Sequence, residues 1–256
     1  MMTRWLLCTL LGILLVGCAA GTYRIERDDY RARVKTLGVL PILVDESSQI
    51  DHSQRDELLA LLRSTALGKI EPAVELLRGG KGYFDVRYVA IDPRATAGSL
   101  LLEKRPDIAP KHLPGGYRFA VDVTQRLTKT NVVDALLVVV LAGVEHDEKR
   151  RSRTGLETLQ TRYNDIYATA AVIDTEGAIL WEMVGSEAYP LLTLQYPDFD
   201  EAHFNHTDAV RIKEIGLAGL EKELTKGQVE GDAARLPLVY QGLLNRVVRS
   251  LGARLF

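Results

Sequence analysis

Cysteine is almost missing from this chain. Only Cys8 and Cys18 occur. No disulfide can therefore form within the chain beyond Cys18, and cysteine-based zinc sites and cysteine nucleophiles are excluded there too. Charge of one sign is also missing: 32 Lys and Arg stand against 34 Asp and Glu, for a net charge of −2. A chain so nearly neutral sets up no broad field that would favour nucleic acid as a partner. The strongest apolar runs, Trp5 to Val16 and Ala135 to Val144, both fall short of the roughly 20 residues a permanent membrane span needs. Familiar catalytic spacings are lacking as well. Gly79-Gly80-Lys81-Gly82 does not have the P-loop spacing and precedes a predicted strand. No serine sits in a Gly-x-Ser-x-Gly setting, and no His-Glu-x-x-His occurs. Nothing in the sequence calls for a cofactor.

What is present begins at the N-terminus. Arg4 precedes the short apolar run, and small residues follow at once in Leu15-Val16-Gly17-Cys18-Ala19-Ala20. This segment resembles a bacterial lipoprotein signal peptide, with Leu-Val-Gly-Cys as its lipobox. The resemblance implies cleavage before Cys18 and lipidation of that cysteine by several acyl chains, which anchor far more firmly than one. Removing 17 of the 256 residues leaves 239, enough for one large domain, and takes the net charge to −3. Ala19 after the cysteine is similar to the pattern of lipoproteins sorted to the outer membrane. The expectation is an outer-membrane, lipid-anchored protein with its domain in the periplasm.

Residues 18–34 read as the lipidated cysteine and a polar tether, because Arg24, Glu26, Arg27, Asp28, Asp29, Arg31 and Arg33 leave little to bury. From there a single domain, 35–256, is predicted. Lys35 to Val44 is a continuous apolar run, the signature of a strand buried on both faces. Ser53 to Leu67 has helical spacing, and Pro72 opens a short helix that Gly79-Gly80 ends. Tyr83 to Ile91 reads as a strand, and Asp92 to Gly116 as loop with one short helix near Ala97 to Glu103. Tyr117 to Lys129 reads as a helix. Ala135 to Val144 is the strongest strand of the chain, followed by a charged loop from Glu145 to Gly155. Leu159 to Ile173 and Ala178 to Tyr189 form a hairpin about Asp174-Thr175-Glu176-Gly177, with Gly177 suited to a positive φ. Tyr189 to Thr207 reads as an aromatic-rich loop, Asp208 to Leu224 as a capped helix, and Leu236 to Leu255 as the clearest amphipathic helix. This order predicts the α/β class, with a single mixed β-sheet and helices packed on it.

Three of these segments carry a further resemblance. Thr36 to Val44 resembles the opening hydrophobic-Leu-Pro strand of the periplasmic lipoprotein superfamily around CsgG, the curli secretion lipoprotein. That superfamily includes activator lipoproteins of penicillin-binding proteins. Asp134 to Val144 resembles its strand after an Ala-Asp turn, and Ala171 to Glu182 its Asp-x-x-Gly-x-hydrophobic-Trp hairpin. The resemblance implies a CsgG-like α/β sandwich. The chain departs from the pore-forming member in offering no pair of long, strictly alternating segments for a membrane barrel.

Candidate chemistry is sparse. Asp200, Glu201, His203 and His206 form a polar cluster with zinc-ligand residue types, alongside the plainer reading of a solvated loop. Glu145-His146-Asp147-Glu148 stands at the end of the strongest strand, where α/β proteins place sites, and it also reads simply as the charged end of a buried strand. Lys149, Arg150, Arg151 and Arg153 form a short basic run diluted by Asp147 and Glu148. The leading expectation is a non-enzymatic binding or assembly factor of an envelope complex. It would touch the membrane through Cys18 and an envelope protein through Tyr189 to Phe204. A subunit of an oligomeric secretion or transport ring, hence a homo-oligomer, is the second reading. A metal-dependent hydrolase using His203 and His206 is the third.

Overall fold

The computed structural model describes residues 22–80, 82–105, 113–207, 209–228 and 236–251. Its frame is an eight-stranded mixed sheet of β1 (Thr22–Tyr23), β2 (Thr36–Val39), β3 (Leu43–Val44), β4 (Asp85–Tyr88), β7 (Ala135–Arg151), β8 (Thr158–Asp174), β9 (Ile179–Met183) and β10 (Tyr189–Thr193). The order across the sheet is β1-β9-β8-β7-β2-β4. β3 extends the line of β2 beside β7, and β10 pairs with β8. β2, β3, β4 and β7 run parallel to their neighbours within that half, and every other pairing is antiparallel. Two small ribbons flank the frame: β5 (Leu101–Lys104) with β6 (Tyr117–Phe119), and β11 (Gln195–Asp198) with β12 (Arg211–Glu214). The α/β class and the large mixed sheet are as the sequence predicts.

The apolar run of β7 is continuous because both faces of the sheet are covered. Ala135, Leu137, Val139 and Leu141 point into one core with α2 (Arg55–Ala66), α3 (Glu71–Gly79), α7 (Leu217–Thr225) and α8 (Leu238–Ser250). Leu136, Val138 and Val140 point the other way, against α4 (Pro93–Leu100) and α5 (Val121–Asn131). Alternation of side chains at period two makes a strand between two layers apolar throughout. The predicted turn is present: Gly177 has φ +76°, and the Asp174 carboxylate accepts the Glu176 and Ala178 amides. Among the described residues no helix is long and apolar enough to cross a membrane.

Four readings change. The supposed tether is part of the fold from Thr22 onward. β1 pairs with β9, and α1 (Arg27–Arg33) buries Tyr30 to 3% exposure. The Tyr30 hydroxyl shares a 2.7 Å hydrogen bond with Tyr83, and Glu182 takes the Arg24 guanidinium on one side and Arg105 on the other. Charged residues dominate this segment's composition, but one aromatic and one buried ion pair hold it. Tyr30→Phe should cost about 1 kcal/mol, the net worth of one such hydrogen bond, read as a lowered urea midpoint at unchanged slope.

The charged loop after Val144 is strand as far as Arg151. It stays in register with β8 throughout, pairing Asp147 with Arg162 and Arg151 with Thr158. Cross-strand charge pairs can extend a ladder where apolar alternation has stopped. Two long strands therefore do exist here, with a charged outer half. The aromatic loop is β10, β11 and the short helix α6 (Phe199–Phe204), with Pro190 in β10 of the frame and Pro197 in β11 of a flanking ribbon. In place of a helix starting at Asp208, which lies outside the described residues, the chain forms β12. It then passes Gly216 and opens α7 at Leu217. Helix ends shift elsewhere too. α4 starts at Pro93, capped by Asp92, which accepts the Ala95 amide at 2.8 Å. Tyr117 to Phe119 is strand before α5.

Candidate functional site

β2 lies between β4 and β7, and the two crossovers leave on opposite faces. The helices α2 and α3 lead to β4 over one core; α4 and α5 lead to β7 over the other. Loops that diverge in this way open a crevice at the C-terminal edge of the parallel strands, the place where open α/β sheets hold ligands. Such a groove is present, with a volume of about 350 Å³. Pro41, Ile42 and Val44 from the strand ends line it, with Ala60, Ser64 and Leu67 along α2 and Asp92 and Pro93 at the start of α4.

Two arginines from different helices meet at this groove over one carboxylate. Arg63 Nη1 lies 2.6 Å from Glu46 Oε1. Arg94 grips the same group with Nε at 2.9 Å and Nη2 at 3.1 Å. Such a forked pair fixes the plane of the guanidinium as well as its position. Arg55 donates to the Glu46 main-chain carbonyl. Beside Glu46, buried Asp45 accepts the Ser47 amide and hydroxyl and the Tyr117 hydroxyl, the last at 2.8 Å. Burial and the Asp45 charge push the Tyr117 phenol well above its ordinary value. Lys104, 3.8 Å from Asp45, is pulled below the usual lysine range by burial, against the pull of that carboxylate. Loop 45–52 is seated on the sheet at Gly143, whose amide donates to Ser48 Oγ at 2.9 Å.

A second polar cluster lies on the outer half of the β7–β8 hairpin. His146, Glu148 and Asp165 bring one ligand atom each within 4.8 Å of one another, the only such set of three among the described residues. Arg150 occupies the same place. Its guanidinium lies over the Tyr163 ring at 3.9 Å, donates to Glu148 at 2.6 Å, and also binds Asp165 and the Gln195 carbonyl. The positive charge that two carboxylates require is thus already supplied by the chain, and the cluster reads as an ion-pair knot before it reads as a metal centre. Burial lifts the Asp165 carboxyl above its ordinary range, with Arg150 opposing the shift. Glu145 and Asp147 face the other way, 3.7 and 3.9 Å from Arg162. Period-two alternation therefore splits the run Glu145-His146-Asp147-Glu148 between two faces.

The sequence-predicted cluster is dispersed. His203 is exposed on α6, and His206 follows the helix, also exposed, at φ 51°. Glu201 belongs instead to Lys213, which lies 2.7 Å away and is shared with Asp198 at 2.8 Å. Those bonds raise the lysine and lower Asp198. Asp200 is exposed. Cys18 lies outside the described residues. The residues that do converge, Glu46, Arg63 and Arg94, belong to no motif. The usable signal is positional: Glu46 stands two residues past the end of the first apolar strand run. No protein-family model matches this sequence, and no curated protein is significantly similar to it.

Proposed function

We propose that this chain is an outer-membrane lipoprotein whose α/β domain serves, without catalysis, as a periplasmic binding and assembly factor of an envelope complex. The observation that carries the reading is the placement of Leu15-Val16-Gly17-Cys18 just ahead of the fold. Four residue steps separate Cys18 from Thr22, a reach of at most about 14 Å. β1 is locked at the sheet margin by its pairing with β9 and by Arg24 on Glu182. A lipid on Cys18 would therefore hold the domain against the bilayer. β1 enters the sheet from the end where the parallel strands finish, because Thr22 pairs with Glu182 and Tyr23 with Trp181. That end carries the groove, and it would be the membrane-proximal one.

The partner surface in this reading is the β11–β12 ribbon with α6. Phe204 is 82% exposed there, with Tyr196 and Ile212 partly exposed beside it. An exposed apolar group rimmed by charge is a common mark of a protein contact. Two measurements test the reading. The mass of the detergent-extracted protein should correspond to a chain starting at an acylated Cys18, and Cys18→Ser should move it from the membrane to the soluble fraction. Crosslinking in intact envelopes should retrieve one specific protein, and Phe204→Ser with Tyr196→Ser should abolish that product. An unprocessed N-terminus would refute the anchor. A crosslink only to further copies of the chain, in a large species, would favour the ring reading instead.

A further inference from the structure

We propose that the groove at the C-terminal edge of β2 and β3 is a binding site for a small amphipathic carboxylate, with its headgroup on Arg63 and Arg94 and its aliphatic chain against Pro41, Ile42 and Val44. The lining suits such a ligand. Strand-end apolar side chains form the floor, and the aliphatic Ala60 and Leu67 form one wall, Leu67 being 65% exposed among the described residues. The charge suits it as well. Two guanidinia meet one Glu46 carboxylate, so this pair of cations carries one positive charge more than its brace. Asp92 also lines the groove, but its carboxylate is turned onto the α4 N-terminus, where it accepts the Ala95 amide and the helix dipole offsets it.

Both guanidinia also keep donor capacity that Glu46 does not use. A guanidinium has five N–H donors. Arg63 uses Nη1 on Glu46, and Arg94 donates from Nη2 to the same group, with Nε in ion-pair contact. Both arginines line the groove, and their remaining N–H donors suit a carboxylate, which guanidinium binds in a planar fork. Glu46 acts here as a positioning residue that holds both arginines at the rim. The volume of about 350 Å³ admits a headgroup with an aliphatic chain of about eight carbons. The arginines supply specificity and the floor supplies burial. This proposal does not depend on the lipid anchor.

The test is an NMR titration of the full chain carrying Cys18→Ser with octanoate and, separately, with octan-1-ol. Octanoate should bind saturably and shift the amides of Val44, Ala60 and Leu67, with octan-1-ol at least about tenfold weaker. Arg63→Gln with Arg94→Gln should erase the preference for the acid. Ala60→Trp, which fills the groove without touching a charge, should weaken both ligands at least about tenfold. Retention of the wild-type amide pattern elsewhere shows that each variant is folded, and either variant alone is sufficient. No saturable octanoate binding would overturn the proposal. So would equal affinity for the alcohol, a preference for the acid that survives Arg63→Gln with Arg94→Gln, or octanoate binding that Ala60→Trp leaves unchanged.

Discussion

Gly143→Val should leave the domain unfolded, or nearly so, at room temperature. Gly143 lies in the buried part of β7 where loop 45–52 crosses the strand. A Cβ there would fall inside the Gln49 carbonyl and 2.6 Å from Ile50 Cγ1. The Gln49 carbonyl also accepts from Asn164 Nδ2, and the Asp51 amide donates to Asn164 Oδ1. The loop is therefore bonded on both sides of the crossing and cannot lift without breaking those bonds. Valine adds two methyl groups to the clash, and the cost should exceed about 4 kcal/mol, a large share of the 5–15 kcal/mol that holds most domains. Gly98→Ala is the control. Gly98 is in helix α4 with open space around it, and the change should stabilise by about 0.5–1 kcal/mol. Urea unfolding followed by circular dichroism reads both. A Gly143→Val protein with the wild-type midpoint would mean that the loop does not sit on β7, and would detach Glu46 from the groove.

Arg150→Met should cost about 3–5 kcal/mol at pH 7. The arginine is mostly buried and holds Asp165, itself buried, together with Glu148 and the Gln195 carbonyl. Removing one partner of a buried pair strands the other charge, and that penalty outweighs the worth of the pair itself. The pH dependence follows from the direction of the Asp165 shift. Its folded carboxyl already titrates above the unfolded value because it is buried. Such a group favours the folded state at low pH, and that advantage is lost as pH rises through its folded pKa. Without Arg150 opposing the shift, the folded value climbs further. The deficit of Arg150→Met relative to wild type should therefore narrow between pH 7 and pH 5. The ionisable neighbours facing Asp165 are His146, 3.5 Å away, and Glu148, which shares the Arg150 guanidinium with it. A deficit that stays constant with pH would show that Arg150 contributes packing over Tyr163 and little charge compensation.

These two sites show how far local reading reaches. Gly143 sits within an apolar run that announces a strand, yet nothing near it in the sequence says that residues 49 and 50 lie on top. Arg150 belongs to a basic run, Lys149 to Arg153, that reads as solvated loop. Only the register of β7 on β8 turns it inward and leaves Arg151 exposed. His203 and His206 illustrate the opposite case. Ligand-type residues close in sequence need not converge: α6 leaves both exposed, Lys213 takes the nearby Glu201, and the one set of three ligand atoms among the described residues lies at His146, Glu148 and Asp165. Tyr30 shows why composition misled at the N-terminus: four arginines and three acids suggest a tether, and one buried ring overrules them.

By itself the sequence determined the α/β class, the doubly covered strand from Ala135, the Asp174–Gly177 turn and the apolar stripe of the last helix. Each of these follows from side-chain period or turn chemistry within a few residues. The tertiary structure alone decided that Glu46, Arg63 and Arg94 share one groove, that Arg150 fills the pocket of His146, Glu148 and Asp165, and that Thr22 to Arg33 joins the fold. Those meetings depend on two crossovers packing on opposite faces of the sheet and on the register of two long strands. Neither leaves a local mark on the residues it brings together.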